Sequence, residues 1–257
     1  MTPSIIHIED ALKDCLSGDT IILGAGHHWE TSLVISVPLR IVAETDDPSR
    51  CVLELAGKIT VSREGSGTIF SGITIRRPRK VADSIPCILA SGCSLSIFAC
   101  ICNNDGSESS SILATQGAKL RLFGSTITGG SVAGITLKGS DLIVSNSFIK
   151  NNGCGIIALC SSVNLEDSYI IKNKDYAFIL FGKCILSLSH CEVKENVGGV
   201  FKCLPDATGC LIRASKTLCD VPNIFSQHTW KNIKKKDDEN RKRNLSPREF
   251  RDAIQGI

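Results

Sequence analysis

One repeating stretch, from about Gly117 to Asn196, constrains this chain more than any other feature. Five small-x-apolar triplets align: Ala99-Cys100-Ile101, Ser125-Thr126-Ile127, Ser147-Phe148-Ile149, Ser168-Tyr169-Ile170 and Cys191-Glu192-Val193. Their last residues are spaced 26, 22, 21 and 23 apart. Five residues before most of them stands another apolar position, Leu122, Val144, Leu165 or Leu188, and two before that a third, Leu120, Leu142, Val163 or Leu186. Three residues after each triplet comes Asn or Gly: Asn104, Gly130, Asn152, Asn173 and Asn196. A short apolar run follows, as in Gly134-Ile135-Thr136-Leu137 and Gly155-Ile156-Ile157-Ala158.

A repeat of this length signals a solenoid. Apolar residues alternate within each short run, so the internal period is two rather than 3.6. Each repeat is therefore expected to hold three short strands joined by bends. One such unit cannot bury its apolar face alone. Stacked turns can, because like residues pile on like and each strand pairs in parallel with its counterpart one turn away. The Asn and Gly positions are expected to take the left-handed backbone of sharp bends. Steps of unequal length fit, since bends absorb an extra residue and strands do not. The expected fold is all-β: a single-stranded right-handed parallel β-helix over residues 18–222. Helical repeats would need long 3.6-period segments, and leucine-rich repeats their Leu-x-x-Leu-x-Leu spacing.

Composition agrees with a narrow core. The chain has 257 residues, 42% hydrophobic but only 5% aromatic, with one Met. Net charge is +3, unevenly spread: residues 231–257 carry nine Lys/Arg and five Asp/Glu, leaving the body close to neutral. An electrostatic nucleic-acid role is therefore not expected of the body, and contact with acidic surfaces would fall to the tail. Thirteen cysteines are present, an odd number with no Cys-x-x-Cys. Many replace Ser, Ala or Ile of sister repeats, so they read as buried, reduced thiols acting as small hydrophobes. Reduced thiols imply an intracellular location, cytoplasmic with the nucleus as an alternative. Residues 1–10 show no signal-peptide pattern, and no run reaches the roughly 18 apolar residues of a membrane span.

In chain order, residues 1–17 read as an N-terminal capping segment. Its helix, from Ile8 to Leu16, would place Ile8, Leu12, Cys15 and Leu16 on one face and stop at Gly18. Strands are expected at Cys51–Leu55, Lys58–Val61 and Thr68–Ile75. The run Arg76-Arg77-Pro78-Arg79-Lys80 reads as a solvated basic turn. A regular series of turns spans residues 112–200, and a last, less regular turn runs to Ala214. Residues 223–257 form a basic tail. Within it, Ser246-Pro247-Arg248-Glu249 carries a capping-box signature for a short helix, and Ser246 before Pro247 is a candidate phosphorylation site.

A short helix followed by Gly18-Asp19-Thr20-Ile21, an apolar strand, a Gly turn and the stretch Leu33-Val34-Ile35-Ser36-Val37-Pro38-Leu39-Arg40-Ile41-Val42-Ala43-Glu44 resembles the opening of pectin-lyase-like β-helices. The Asn-x-x-Gly-Ile-x-Leu style of the repeats resembles the carbohydrate-binding and sugar-hydrolase (CASH) repeats. These also occur in non-enzymatic eukaryotic proteins, the SHC SH2-domain-binding protein family and the β-helix F-box proteins. The resemblance covers residues 4–214, although no F-box is recognisable. It implies three readings: a non-catalytic interaction scaffold, a polysaccharide-active enzyme or carbohydrate binder, or a substrate-recognition module of a ubiquitin-ligase assembly.

The residues favour the first. An enzyme site would need carboxylates converging on one face, for a metal or for proton transfer. The family's Asn-Thr-Asp, Asp-Asp, Gly-His-Gly and Arg-Ile-Lys series on successive turns is missing, and the central turns offer little: Asp141, Glu166, Asp167, Glu192 and Glu195. No catalytic residue, cofactor or metal ligand is assigned. The middle residue of each triplet points outward, because neighbours in a strand alternate. That column reads Thr126, Phe148, Tyr169, Glu192, and the next outward column Thr128, Lys150, Ile171, Lys194. Phe148, Tyr169 and Ile171, flanked by Lys150 and Lys194, form a candidate surface for a protein partner. The competing expectation is that the C-terminal segment covers it through Phe225, Trp230 or Phe250.

Overall fold

The computed structural model describes residues 7–77, 84–105, 107–204 and 210–219. They build one parallel β-helix whose three sheets hold nine, nine and eight strands. The first sheet starts with Thr20–Leu23 and Arg40–Ala43 and ends with Leu211–Ser215. The second runs from Gly26–Glu30 through Cys51–Leu55, Thr74–Arg76, Ile101–Asn103, Thr126–Thr128, Phe148–Lys150, Tyr169–Ile171 and Glu192–Lys194 to Leu218–Cys219. The third runs from Leu33–Ile35 to Gly199–Cys203. Every strand pairs in parallel with the equivalent strand one turn away, as the repeat required.

The inward columns are the apolar alternation of the sequence. In the second sheet Ile75, Cys102, Ile127, Ile149, Ile170 and Val193 are successive register partners, all fully buried. Full burial of one such side chain contributes about 1.5–3 kcal/mol, and stacking lets each turn cover the next.

This register corrects the first triplet. Cys102, not Ile101, joins the column, and Ile101 points outward, half-buried. Moving that repeat by one residue brings buried Leu95 and Ile97 into line with Leu120 and Leu122. The cysteine misled because a small hydrophobe can hold an inward position as well as Ile can. The expected strand over Thr68–Ile75 is two strands, Thr68–Ser71 and Thr74–Arg76, broken at Gly72 with φ 70°.

The bends also differ from expectation. Left-handed backbone falls on the residue before the recurring Asn or Gly position: Gly129, Asn151, Lys172 and Glu195 have φ between 56° and 77°. Asn152 and Asn173 follow, nearly or fully buried, and their side chains bridge turns. Asn152 Oδ1 accepts from Gly130 N–H at 3.0 Å, Asn173 Oδ1 from Asn152 N–H at 3.0 Å, and Asn196 Oδ1 from Asn173 N–H at 3.1 Å. A serine ladder does the same at another corner. Ser125 Oγ accepts from Cys100 N–H, Ser147 Oγ from Ser125 N–H and Ser168 Oγ from Ser147 N–H, at 3.1–3.2 Å. Buried backbone groups that the strands leave unpaired at the corners are thereby satisfied.

The N-terminal helix spans Ile8–Asp14, shorter than expected, and packs Ile8, with Leu12 and Cys15, on the core. Leu16 lies beyond it and is 72% exposed, so it is not part of that face. The Glu30 carboxylate accepts from Ile8 N–H at 2.5 Å and ties the helix to the first turn. Of the basic run, Arg76 and Arg77 lie among the described residues and are not simply solvated, while residues 78–80 lie outside them. Arg77 is buried, its guanidinium donating to Ala56 O and Ile85 O at 2.8 Å each, while Arg76 donates to Glu54 at 2.9 Å. Eight of the cysteines are buried, but Cys160, Cys203 and Cys219 are exposed. Among the described residues no helix is long and apolar enough to cross a membrane. The tail, with Ser246, Phe225, Trp230 and Phe250, lies outside the described residues.

Candidate functional site

The outer face of the second sheet gathers the candidate residues. Its two outward columns follow from strand alternation and one-turn register: Thr126, Phe148, Tyr169 and Glu192 are successive partners, as are Lys150, Ile171 and Lys194. Phe148 and Tyr169 are 36% and 37% exposed. Their rings stack, with centroids 4.7 Å apart and planes 10° from parallel. The Lys150 ammonium stands 5.4 Å from the Phe148 centroid, a cation–π contact. Ile171 is half-buried beside Lys150. Lys194 pairs with Glu192 on its own strand, and Lys172 with Glu195 at 3.7 Å. The structure thus brings Phe148, Lys150, Tyr169, Ile171 and Lys194 onto one surface.

The ring geometry limits what that surface can do. Two rings stacked along the solenoid axis turn a face toward each other, and the Phe148 ring also has an ammonium at hand. What such a pair offers a ligand is chiefly its edges, which carry partial positive charge. With Lys150 beside them, the surface is apolar and weakly positive.

A second group on the same face went unrecognised in the sequence. The Glu54 side chain, almost wholly buried, meets the Arg76 guanidinium at 2.9 Å and His27 Nδ1 at 3.5 Å. Trp29, the register partner of Glu54, is 59% exposed. The signal was a carboxylate inside the apolar strand Cys-Val-Leu-Glu-Leu with a basic residue about one repeat step away. The carboxylates weighed from sequence do not converge with it. Asp141 and Glu166 belong to first-sheet strands, and Glu192 and Glu195 are occupied by lysines far along the second. Among the described residues no group of three His, Cys, Asp or Glu is placed to hold a metal ion.

Fold and face together define a parallel β-helix with an aromatic, lysine-flanked strip on one sheet. A family model described as a right-handed beta helix region matches residues 59–217, and the chain belongs to that family. No curated protein sequence matches the chain. Among solved structures it is similar to pectate lyase Pel9A, at 13% identity and TM-score 0.45, with 85% of this chain and 73% of that one covered. A rhamnogalacturonan lyase gives 9% identity and TM-score 0.48, covering 84% and 83%. The PL6-family alginate lyase AlyGC gives 13% and 0.44, covering 81% and 38%.

Proposed function

We propose that this β-helix is a non-catalytic scaffold that takes a protein partner along the outer face of its second sheet. The observation that carries the reading is the stacked, partly exposed Phe148–Tyr169 pair, framed by Lys150, Ile171 and Lys194 on a rigid lateral surface. Exposed apolar groups held in fixed register are what an interface core requires, and aromatics carry much of interface energy. The aromatic edges and Lys150 favour a partner segment that is apolar and acidic. Thirteen cysteines, eight of them buried, support a reducing compartment, cytoplasm or nucleus, as its place.

A polysaccharide-active protein is the second reading. It draws on exposed Trp29 beside Glu54, Arg76 and His27, an aromatic platform next to a carboxylate. One set of experiments separates the two. Affinity capture with the tagged chain is compared with Phe148→Ala/Tyr169→Ala, and the chain is incubated with pectate, alginate and rhamnogalacturonan while unsaturated products and reducing ends are followed. The scaffold reading expects proteins lost with the double variant and no new chain ends. Cleavage that disappears in Glu54→Gln, with capture unchanged by the double variant, would instead establish the second.

A further inference from the structure

The N-terminal end of the second sheet holds a cavity that neither the repeat nor the aromatic strip accounts for. Its volume is about 540 Å³, within the range of ligand sites. It opens between the N-terminal helix and the strand Gly26–Glu30, with His7, Glu9, Asp10, Trp29 and Glu30 in its lining. Phe148 lies five strands further along the same sheet, roughly 24 Å away at about 4.8 Å per strand, so the cavity is separate from the Phe148–Tyr169 surface.

Strand alternation builds the walls. Trp29 and Glu30 are neighbours in one strand and face opposite ways. Trp29 stands outward and is more than half exposed. Glu30 takes an inward position whose register partner one turn on is the fully buried Leu55. Its side chain is only 2% exposed, and a carboxylate buried there needs partners. Oε1 has them: it accepts from Ile8 N–H at 2.5 Å, and His7 Nδ1 stands 3.8 Å away. Oε2 accepts no hydrogen bond from any described residue. Of the two carboxylates that the helix adds, Asp10 is held by Lys13 at 2.7 Å, which leaves exposed Glu9 at the rim.

These walls select a cation and its shape. A buried carboxylate with a spare oxygen, a second carboxylate at the rim and an indole beside them all attract positive charge. The acidic groups and His7 do not converge tightly enough to hold a metal ion. A guanidinium is planar, stacks on aromatic faces and presents five donors, so it can serve two separated carboxylates at once, which a compact ammonium cannot. The strand Gly26–Glu30 is also the first of its sheet, with one edge that no described strand pairs, and a peptide backbone can lie along such an edge. We infer that the cavity receives an arginine side chain from a partner peptide, the guanidinium lying against Trp29 and donating to Glu30 Oε2 and to Glu9. This site does not depend on the Phe148–Tyr169 surface.

Trp29 reports on its own cavity. The chain has two tryptophans, so Trp230→Phe leaves Trp29 as the sole one. The full chain carrying Trp230→Phe is titrated with a short capped alanine peptide that has one central arginine, and with the same peptide carrying lysine or citrulline there, while tryptophan fluorescence is followed. Arginine is expected to give a saturable change, lysine a several-fold weaker one and neutral citrulline none. Glu30→Gln keeps an acceptor for Ile8 N–H but removes the charge. That variant and Glu9→Gln, added singly, should each weaken arginine binding several-fold with circular dichroism unchanged. Phe148→Ala/Tyr169→Ala should leave the titration as it is, which keeps failure here distinct from failure of the scaffold reading. No saturable change with arginine, citrulline matching arginine, or a titration indifferent to both glutamate variants overturns the inference.

Discussion

Asn152 and Asn173 occupy the same corner on successive turns, and Asn173 Oδ1 accepts both the backbone N–H of Asn152, at 3.0 Å, and its side-chain amide, at 3.2 Å. Asn173 in turn donates to Ile149 O at 3.3 Å and to Asn196 Oδ1 at 2.8 Å. The Asn173 amide thus joins the turn before to the turn after, and the Asn152 amide also donates to Lys150 O of its own turn. Removing one amide leaves several buried groups unpaired where water cannot reach. Asn173→Ala is expected to cost about 3 kcal/mol, each orphaned group costing about 1–3 kcal/mol. Urea denaturation measures it, and an unchanged midpoint would show that the ladder carries no weight.

The inward column sets a second expectation. Ile149 sits between Ile127 and Ile170, fully buried. Ile149→Asp places an unpaired charge in that stack and should destabilise by more than about 3 kcal/mol. Ile149→Val, which removes one methylene, should cost only about 1 kcal/mol. Thermal melts of the pair test the column, since two small equal shifts would place residue 149 on the outside.

Two glycines should respond differently to the same change. A Cβ on Gly155 would meet Ala177 O at 2.5 Å and Ile170 Cγ2 at 2.7 Å. Gly155→Ala therefore overpacks the start of the strand Cys154–Leu159 and should cost about 2–3 kcal/mol. Gly139 has φ +57° and nothing within 4 Å of its would-be Cβ. Gly139→Ala carries backbone strain alone, about 1 kcal/mol. Equal losses in chemical denaturation would contradict the distinction.

Alkaline pH gives the fourth. Burial pushes the Cys87 and Cys100 thiols from 9.0 up to about 12. Between these values the unfolded chain has lost protons that the folded one keeps, so folding is penalised as pH rises. The contribution of each thiol is intact below pH 9 and falls away toward pH 12, by about 1.4 kcal/mol per pH unit per group. Denaturation midpoints taken across that range should fall less steeply in Cys87→Ala/Cys100→Ala than in the wild type. Parallel profiles would mean that the thiols ionise freely in the folded chain.

Much of the candidate surface was legible in the sequence, because outward columns need only alternation and a known step. Phe148, Tyr169 and Ile171 fall into place from those two numbers. The Glu54 group did not, although Trp29, Glu54 and Arg76 obey the same rule. The early steps are longer and less regular, so no column through Trp29, Glu54 and Arg76 stood out. The register of Cys102 failed for a related reason. A 25-residue step from Cys102 to Ile127 and a 26-residue step from Ile101 are equally compatible with a bend of adjustable length.

The sequence alone determined the parallel solenoid, its three strands per turn and most of its core. Alternation of period two and a recurrence of about 22 residues leave one economical way to bury these side chains. Tertiary structure decided what the corners do. There the chain leaves the alternation, and a residue's role depends on what lies one turn away. Asn152 and Asn173 serve as buried hydrogen-bonding bridges while their predecessors take the left-handed bend. The buried Arg77 reaches the carbonyls of Ala56 and Ile85. Such contacts join residues about one turn apart through geometry that spacing does not specify, so they appear only once the turns are closed.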